Sequence, residues 1–81
     1  MGMPKRVYIK VLVEFSPEGL ATPVRMEYSD RWFDIDRLIR VERLAPETGG
    51  GGILRYEVRV YGKTRYLWRD GDKWFVEVPA P

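Results

Sequence analysis

The sequence lacks four residue types, since its 81 residues include no cysteine, histidine, asparagine or glutamine. Without cysteine, no disulfide can stabilise the fold, and no thiolate can bind a metal or attack a substrate. Without histidine, no ordinary side chain titrates near pH 7. Without asparagine or glutamine, the usual bidentate contact to adenine is missing. These absences disfavour catalysis, metal binding and sequence-specific DNA recognition.

The same absences bear on stability at high temperature. Chains with few deamidating or oxidising side chains are typical of proteins adapted to heat, and here arginine outnumbers lysine ten to four. Chance in a short chain, or a GC-rich genome, explains this bias equally well. The sequence leaves both explanations open.

Hydrophobic runs long enough to cross a membrane are also missing, because none approaches the roughly 20 residues that a spanning helix needs. The N-terminal sequence MGMPKR has no apolar stretch typical of a signal peptide. We therefore expect a cytoplasmic protein with no membrane contact. The net charge of +2 permits a nucleic-acid partner but does not require one.

The composition supplies material for one small core, with 44% hydrophobic and 14% aromatic residues. Aromatic side chains bury a large area for each residue that folding orders. The sequence therefore predicts a single domain over residues 1–81. We expect flexible ends at residues 1–5 and 79–81, and a flexible glycine-rich loop at residues 45–52.

The clearest pattern is the period-two alternation of residues 53–78, which read ILRYEVRVYGKTRYLWRDGDKWFVEV. Alternation of this kind predicts strands at residues 53–61, 64–69 and 73–78, with turns at Gly62-Lys63 and at residues 70–72. In that register Val58 opposes Leu67, and Arg59 opposes Tyr66. One side of the hairpins then carries Val58, Val60, Leu67, Trp74, Val76 and Val78. The other carries Arg55, Arg59, Tyr66, Trp68 and Phe75.

The first half of the chain also reads as strands. Residues 6–15 alternate, residues 16–19 form a turn, and residues 22–28 form a second strand that Pro23 places near an edge. Residues 32–44 fit either a long bent strand or a helix capped by Asp34, and their β-branched content favours the strand. We expect about six antiparallel strands in a meander, forming a small barrel or a strongly bent sheet.

The glycine-rich loop allows two interpretations. The favoured one is a mobile hairpin connection, and the other is a backbone cradle for phosphate. A Gly-Lys-Thr sequence follows at residues 62–64, but the earlier glycine of a P-loop would fall at Glu57. The P-loop match therefore fails.

The chain contains seven short motifs, each at one place. They are V-x-V-x-F at residues 11–15, P-V-x-x-x-Y at 23–28, I-D-R-L at 35–38, glycines at 49–52, R-Y-x-V-R at 55–59, G-K-x-x-Y-L at 62–67 and W-F-V-E at 74–77. In these motifs the chain resembles a group of small bacterial proteins of unknown function and similar length. It is more distantly similar to a short β domain found beside or fused to error-prone DNA polymerases. The resemblance implies an all-β fold and no known catalytic residues.

Catalytic chemistry has weak support in the sequence. The aspartate pairs Asp34/Asp36 and Asp70/Asp72 could in principle serve as acid and base, but aspartate favours turns and solvated positions for its own reasons. Ser16 and Ser29 have no base beside them. We therefore expect no enzyme activity, no catalytic or metal-binding residues, no cofactor and no small-molecule substrate.

Binding chemistry has better support. Arg55, Arg59, Tyr66, Trp68 and Arg69 could hold single-stranded nucleic acid by charge and stacking. The alternative is that the aromatic rings are core and that arginine stems cover their edges. We favour a non-enzymatic accessory module that acts through protein contacts or self-association, because the strand that begins at Arg6 has no feature that protects its edge.

Overall fold

The computed structural model describes residues 4–44 and 52–79. Every regular element in these two ranges is a β-strand, as the sequence predicts. The strands are β1 (Lys5–Ile9), β2 (Val11–Phe15), β3 (Ala21–Tyr28), β4 (Arg31–Asp34), β5 (Arg37–Leu44), β6 (Ile53–Val60), β7 (Lys63–Asp70) and β8 (Lys73–Val78). Over these ranges, no helix has the length and apolarity to cross a membrane.

The expected flexible segments lie mostly outside the described residues. Of the glycine-rich loop only Gly52 is described, and of the C-terminal end only Pro79. At the N-terminal end, Lys5 belongs to β1 and pairs with Val78 of β8. The first described strand therefore begins within the segment predicted to be a flexible end.

The strands form two antiparallel sheets. One has five strands in the order β1-β8-β7-β6-β5, and the other has three in the order β2-β3-β4. Only Lys10 separates β1 from β2, and only residues 35–36 separate β4 from β5. The chain therefore passes from one sheet to the other at two points. At the first, the backbone N–H of Glu27 donates to the carbonyl of Lys10, and at the second, those of Ile35 and Asp36 donate to the carbonyls of Val24 and Arg59.

These crossings explain why the described residues hold eight strands where six were predicted. Residues 6–15 and 32–44 were each expected to form one strand, and each is divided between the two sheets. The antiparallel β architecture is confirmed, whereas the six-strand count and a closed barrel are not. The helical alternative for residues 32–44 is wrong, because they form β4 and β5.

The turns between strands set the register. Ser29-Asp30 has φ values of 53° and 61°, and Tyr61-Gly62 has 51° and 72°. Positive φ at both central positions is typical of type I′ hairpins, whose twist matches that of the flanking strands. Val60 therefore pairs with Lys63, and the predicted turn at Gly62-Lys63 is wrong.

The register of β6 with β7 is consequently shifted from the predicted one. Val58 pairs with Arg65 and Glu57 pairs with Tyr66, so neither predicted cross-strand pair forms. The shift amounts to two residues along β7. Because side chains alternate with a period of two, it leaves each residue on its predicted side.

The core lies between the two sheets. Its buried residues come from β3, β6, β7 and β8: Met26, Tyr56, Val58, Val60, Leu67 and Trp74. The sequence predicts four of these, Val58, Val60, Leu67 and Trp74, on one side of the hairpins. The packing therefore confirms that side as the core side.

Truncation of Leu67 should test this core directly. Leu67 is fully buried, so Leu67→Ala removes apolar contacts and leaves a cavity. We expect a loss of about 2–5 kcal/mol in the free energy of unfolding, measured by urea denaturation. Leu12→Ala is the matched control, because Leu12 is 47% exposed. An equal loss in the two variants would contradict this description of the core.

Candidate interaction surface

The five-stranded sheet has a second face, directed away from the three-stranded sheet, which we call the outer face. Period-two alternation from the buried positions assigns side chains to it. They are Arg6, Tyr8, Arg37, Arg40, Glu42, Leu44, Ile53, Arg55, Glu57, Arg59, Thr64, Tyr66, Trp68, Asp70, Lys73, Phe75 and Glu77. The outer face therefore combines aromatic rings with charges of both signs.

Aromatic rings form a row across three strands at the centre of this face. Phe75 of β8 pairs directly with Tyr8 of β1 and with Trp68 of β7. The centroids lie 5.5 Å apart for Tyr8 and Phe75, and 5.9 Å apart for the stacked rings of Trp68 and Phe75. Tyr66 continues the contact, 6.2 Å from Trp68. We call Tyr8, Phe75, Trp68 and Tyr66 the aromatic row.

Exposure differs along the aromatic row. Phe75 is 1% exposed, whereas Tyr8 is 56% and Tyr66 is 40% exposed. Trp68 is half-buried. The row is therefore anchored at Phe75 and accessible at both ends, so neither a purely core nor a purely surface interpretation of its aromatic residues is correct.

Two guanidinium groups lie over the rings. The Cζ of Arg6 is 4.5 Å from the Phe75 centroid, and the Cζ of Arg55 is 5.0 Å from the Tyr66 centroid. Attraction between a cation and a ring face contributes about 0.5–1 kcal/mol at exposed sites. These contacts hold both arginines against the sheet.

Carboxylates neutralise part of the positive charge on this face. Arg40 lies 2.8 Å from Glu42 and 3.1 Å from Glu57, and Arg55 lies 3.0 Å from Glu42. Each exposed pair of this kind is worth little by itself. On the outer face these pairs reduce the net positive charge, because Arg40 and Arg55 are each paired with a carboxylate.

Positive charge remains at the end of the face near the Tyr61-Gly62 turn. Arg37 lies directly opposite Arg59, which in turn pairs with Thr64. Neither arginine forms an ion pair with a carboxylate in residues 4–44 and 52–79. Arg59 Nη2 donates to the carbonyl of Gly62 at 3.2 Å. Like charges directly opposite are unfavourable in a sheet, so this end attracts anions.

The structure brings together four of the five predicted contact residues. Arg55, Arg59, Tyr66 and Trp68 share the outer face, but Arg69 does not. Its Cζ lies 5.6 Å from the ring of Trp74 on the core side, and its Nε donates to the carbonyl of Gly71 at 2.8 Å. Successive side chains in a strand point to opposite faces, so Arg69, which follows Trp68, points to the core side.

Sequence reasoning missed the contribution of β1. Tyr8 and Arg6 complete the aromatic row only because β1 pairs with β8, more than 60 residues later in the chain. The available signal was the alternation of residues 6–15, which separates Tyr8 from the apolar side of its strand. It did not show which strand would be the neighbour.

Two of the four aspartates in the pairs noted in the sequence contact other groups in the described part of the chain. Asp34 forms an ion pair with Arg25 at 2.9 Å, and Asp36 accepts the N–H of Gly62 at 3.4 Å. Asp70 and Asp72 flank the turn glycine Gly71. No group of three or more acidic side chains converges in the described ranges.

Truncation of Phe75 should show that the outer face contributes to stability. Phe75→Ala removes the ring between Tyr8 and Trp68, so we expect a loss of about 3–5 kcal/mol in unfolding free energy. Tyr8→Ala, at the exposed end of the row, should cost no more than about 1 kcal/mol. Urea denaturation followed by tryptophan fluorescence measures both. A Phe75 variant as stable as the Tyr8 variant would contradict the anchoring role of Phe75.

Comparison with protein-family models, curated proteins and solved structures finds no match to this chain. The resemblance to small bacterial β proteins and to the polymerase-associated domain therefore stays a prediction. Conclusions about function rest on the geometry of the outer face.

Proposed function

We propose that this chain is a non-enzymatic interaction module that binds protein through its outer face, with a second copy of itself as the occupant. The observation that carries the proposal is the aromatic row, anchored at Phe75 and accessible at Tyr8 and Tyr66. Tyrosine, tryptophan, phenylalanine and arginine are the residues enriched in protein interfaces and in their energetic centres.

Charge on the outer face favours a protein partner over a phosphate backbone. A single strand of nucleic acid lying along the aromatic row would meet Glu42 and Glu57, which lie beside Arg55 and Arg40. Mixed charge of this kind suits a protein surface that presents both signs in return.

Self-association is supported by the arrangement of the aromatic row across β1, β8 and β7. Phe75 lies at the centre of the row, with Tyr8 on one side and Trp68 on the other. A two-fold axis parallel to the strands at Phe75 would lay Tyr8 of one copy over Trp68 of the other in both directions, as an isologous interface requires.

The size of the face limits the affinity. Five strands spaced about 4.8 Å apart, each at most eight residues long at about 3.3 Å per residue, give a face of roughly 24 by 26 Å, or about 600 Å². This area is below the roughly 800 Å² that each partner buries in a standard interface. We therefore expect a weak dimer, visible at high protein concentration.

Sedimentation equilibrium over a range of protein concentrations tests this proposal. The wild-type chain should show a concentration-dependent mass. The double variant Arg6→Glu/Tyr8→Ser should weaken dimerisation at least about tenfold, or about 1.4 kcal/mol, because it removes an exposed ring of the aromatic row and the cation that lies over Phe75.

The matched control is Lys5→Glu/Phe15→Ser, which makes the same change in charge and also replaces one exposed aromatic residue. Lys5 is on the other face of β1, and Phe15 is 64% exposed on the three-stranded sheet. The control should dimerise like the wild-type chain. A monomeric wild-type chain at every concentration, or equal weakening in the two variants, would rule out the outer face as the interface.

Single-stranded nucleic acid is the second candidate partner, favoured by one specific observation. Arg37 and Arg59 lie opposite each other without a carboxylate partner among the described residues, next to Thr64. Tyr66 lies on the same strand as Thr64 and is accessible for stacking. Binding would follow charge and shape with little sequence discrimination, since base stacking tolerates every base.

Fluorescence anisotropy with a labelled oligothymidine separates this candidate from the first. If nucleic acid binds, affinity should fall as salt rises, and Arg37→Ala/Arg59→Ala should lower the slope of log K against log salt by about 1.4. Arg43→Ala is the control, because Arg43 alternates to the opposite side of β5 from Glu42. Anisotropy that does not change at low salt would remove nucleic acid as a partner.

A further inference from the structure

The five-stranded sheet is split between β7 and β8. Their pairing covers only Trp68–Asp70 of β7 and Lys73–Phe75 of β8. The ladder of β7 with β6 nevertheless continues to Lys63, and that of β8 with β1 continues to Val78. Each strand therefore follows its other neighbour beyond Trp68, and a cleft of about 570 Å³ opens between them. Small-molecule sites have volumes in this range.

The cleft is lined mainly by apolar and aromatic side chains. Its apolar contacts include Met26 and Val60, which are core residues, and Val76. Phe33 and Tyr61 meet edge to face with centroids 5.7 Å apart and form part of the lining. Three further rings complete the aromatic lining, those of Tyr28, Tyr66 and Trp68. Such a lining suits a flat apolar group, which can stack and be shielded from water.

Positive charge dominates the core-side mouth of the cleft. Lys63 and Arg65 both line the cleft, and both are exposed. Neither forms an ion pair within residues 4–44 and 52–79. Arg31 adds a third cation nearby, since its Cζ is 5.8 Å from the Phe33 ring.

One carboxylate also lines the cleft, that of Glu77. Glu77 alternates to the outer side of β8, where it pairs across the strands with Arg6. Lys63 and Arg65 alternate to the core side of β7. Alternation therefore assigns the two cations to the core side of the split sheet and the acid to its outer side.

Backbone groups on β7 add polar partners. The two-residue turn makes Val60 and Lys63 a hydrogen-bonded pair, and such pairs alternate along an antiparallel ladder. The N–H and C=O groups of Thr64 and Tyr66 therefore point away from β6, towards the gap where β8 no longer pairs. They can bind the polar atoms of a ligand.

We infer that this cleft binds a small aromatic anion. Its flat ring system lies among Phe33, Tyr61 and the neighbouring aromatic side chains, and its carboxylate or sulfonate contacts Lys63 and Arg65. Charge complementarity at the mouth selects an acid, and the volume selects a small molecule. The cleft shares Tyr66 and Trp68 with the outer face, but its test is separable from that of the proposed dimer, because Lys63 and Arg65 are not part of the outer face.

A fluorescence titration with 1-anilinonaphthalene-8-sulfonate tests the inference. The folded wild-type chain should bind this probe saturably at one site. Lys63→Glu/Arg65→Glu should weaken binding at least about tenfold, because the sulfonate then faces two carboxylates. Lys10→Glu/Arg43→Glu is the matched control. It makes the same charge change on two exposed side chains that do not line the cleft, and it should bind like the wild-type chain.

Displacement distinguishes a true site from general adhesion of the probe. 2-Naphthoate should displace the probe, whereas neutral 2-naphthylmethanol should displace it at least about tenfold less well. Urea denaturation of each variant shows whether it is folded, since probe binding by a loosened core would mimic a site. Non-saturable binding, equal affinities of the two double variants, or equal displacement by the two naphthalenes would overturn the inference.

Discussion

Antiparallel pairing along β6, β7 and β8 is the constraint on which the rest of the structure depends. Once Tyr61-Gly62 and Gly71-Asp72 close two-residue turns, every side chain in these strands is assigned to one of two faces. One face receives Val58, Leu67 and Trp74 and becomes the core. The opposite face receives arginines and aromatic rings. A slip of one residue at either turn would exchange these two faces.

The five-stranded sheet has an apolar core face and also carries large aromatic rings on its outer face, where small antiparallel sheets are commonly polar. The two faces are covered differently. The three-stranded sheet packs over one, through Met26 and its neighbours. On the other, Phe75 is covered within its own sheet by Arg6, Tyr8 and Trp68. Because only side chains of the same sheet cover Phe75, the neighbouring rings stay accessible. The aromatic row can therefore contribute to stability and to binding at the same time.

The separation of β7 from β8 also depends on which neighbours these strands pair with. Each of these strands pairs with two neighbours, and the chain crosses between sheets next to β1 and β5. Where the ladders with β6 and β1 continue beyond Trp68 and Phe75, the pairing of β7 with β8 ends. The resulting cleft gives the domain a concave, mainly apolar surface with exposed cations, whereas the outer face carries rings and charges of both signs. A cleft suits a small molecule, and an extended face suits a protein partner.

The sequence by itself determined the antiparallel strands, the positions of most turns, and the side of the hairpins on which each residue of β6 to β8 lies. These features are local, because alternation and turn chemistry act over a few residues. The turn at Tyr61-Gly62 was predicted one residue too late, at Gly62-Lys63, because nothing in the sequence indicates that Tyr61 has a positive φ. Only the tertiary structure decided that β1 pairs with β8, that residues 6–15 and 32–44 divide between two sheets, and that β7 and β8 separate. Those outcomes depend on contacts between strands far apart in the chain, whose choice of neighbour is set by packing and twist rather than by any local pattern.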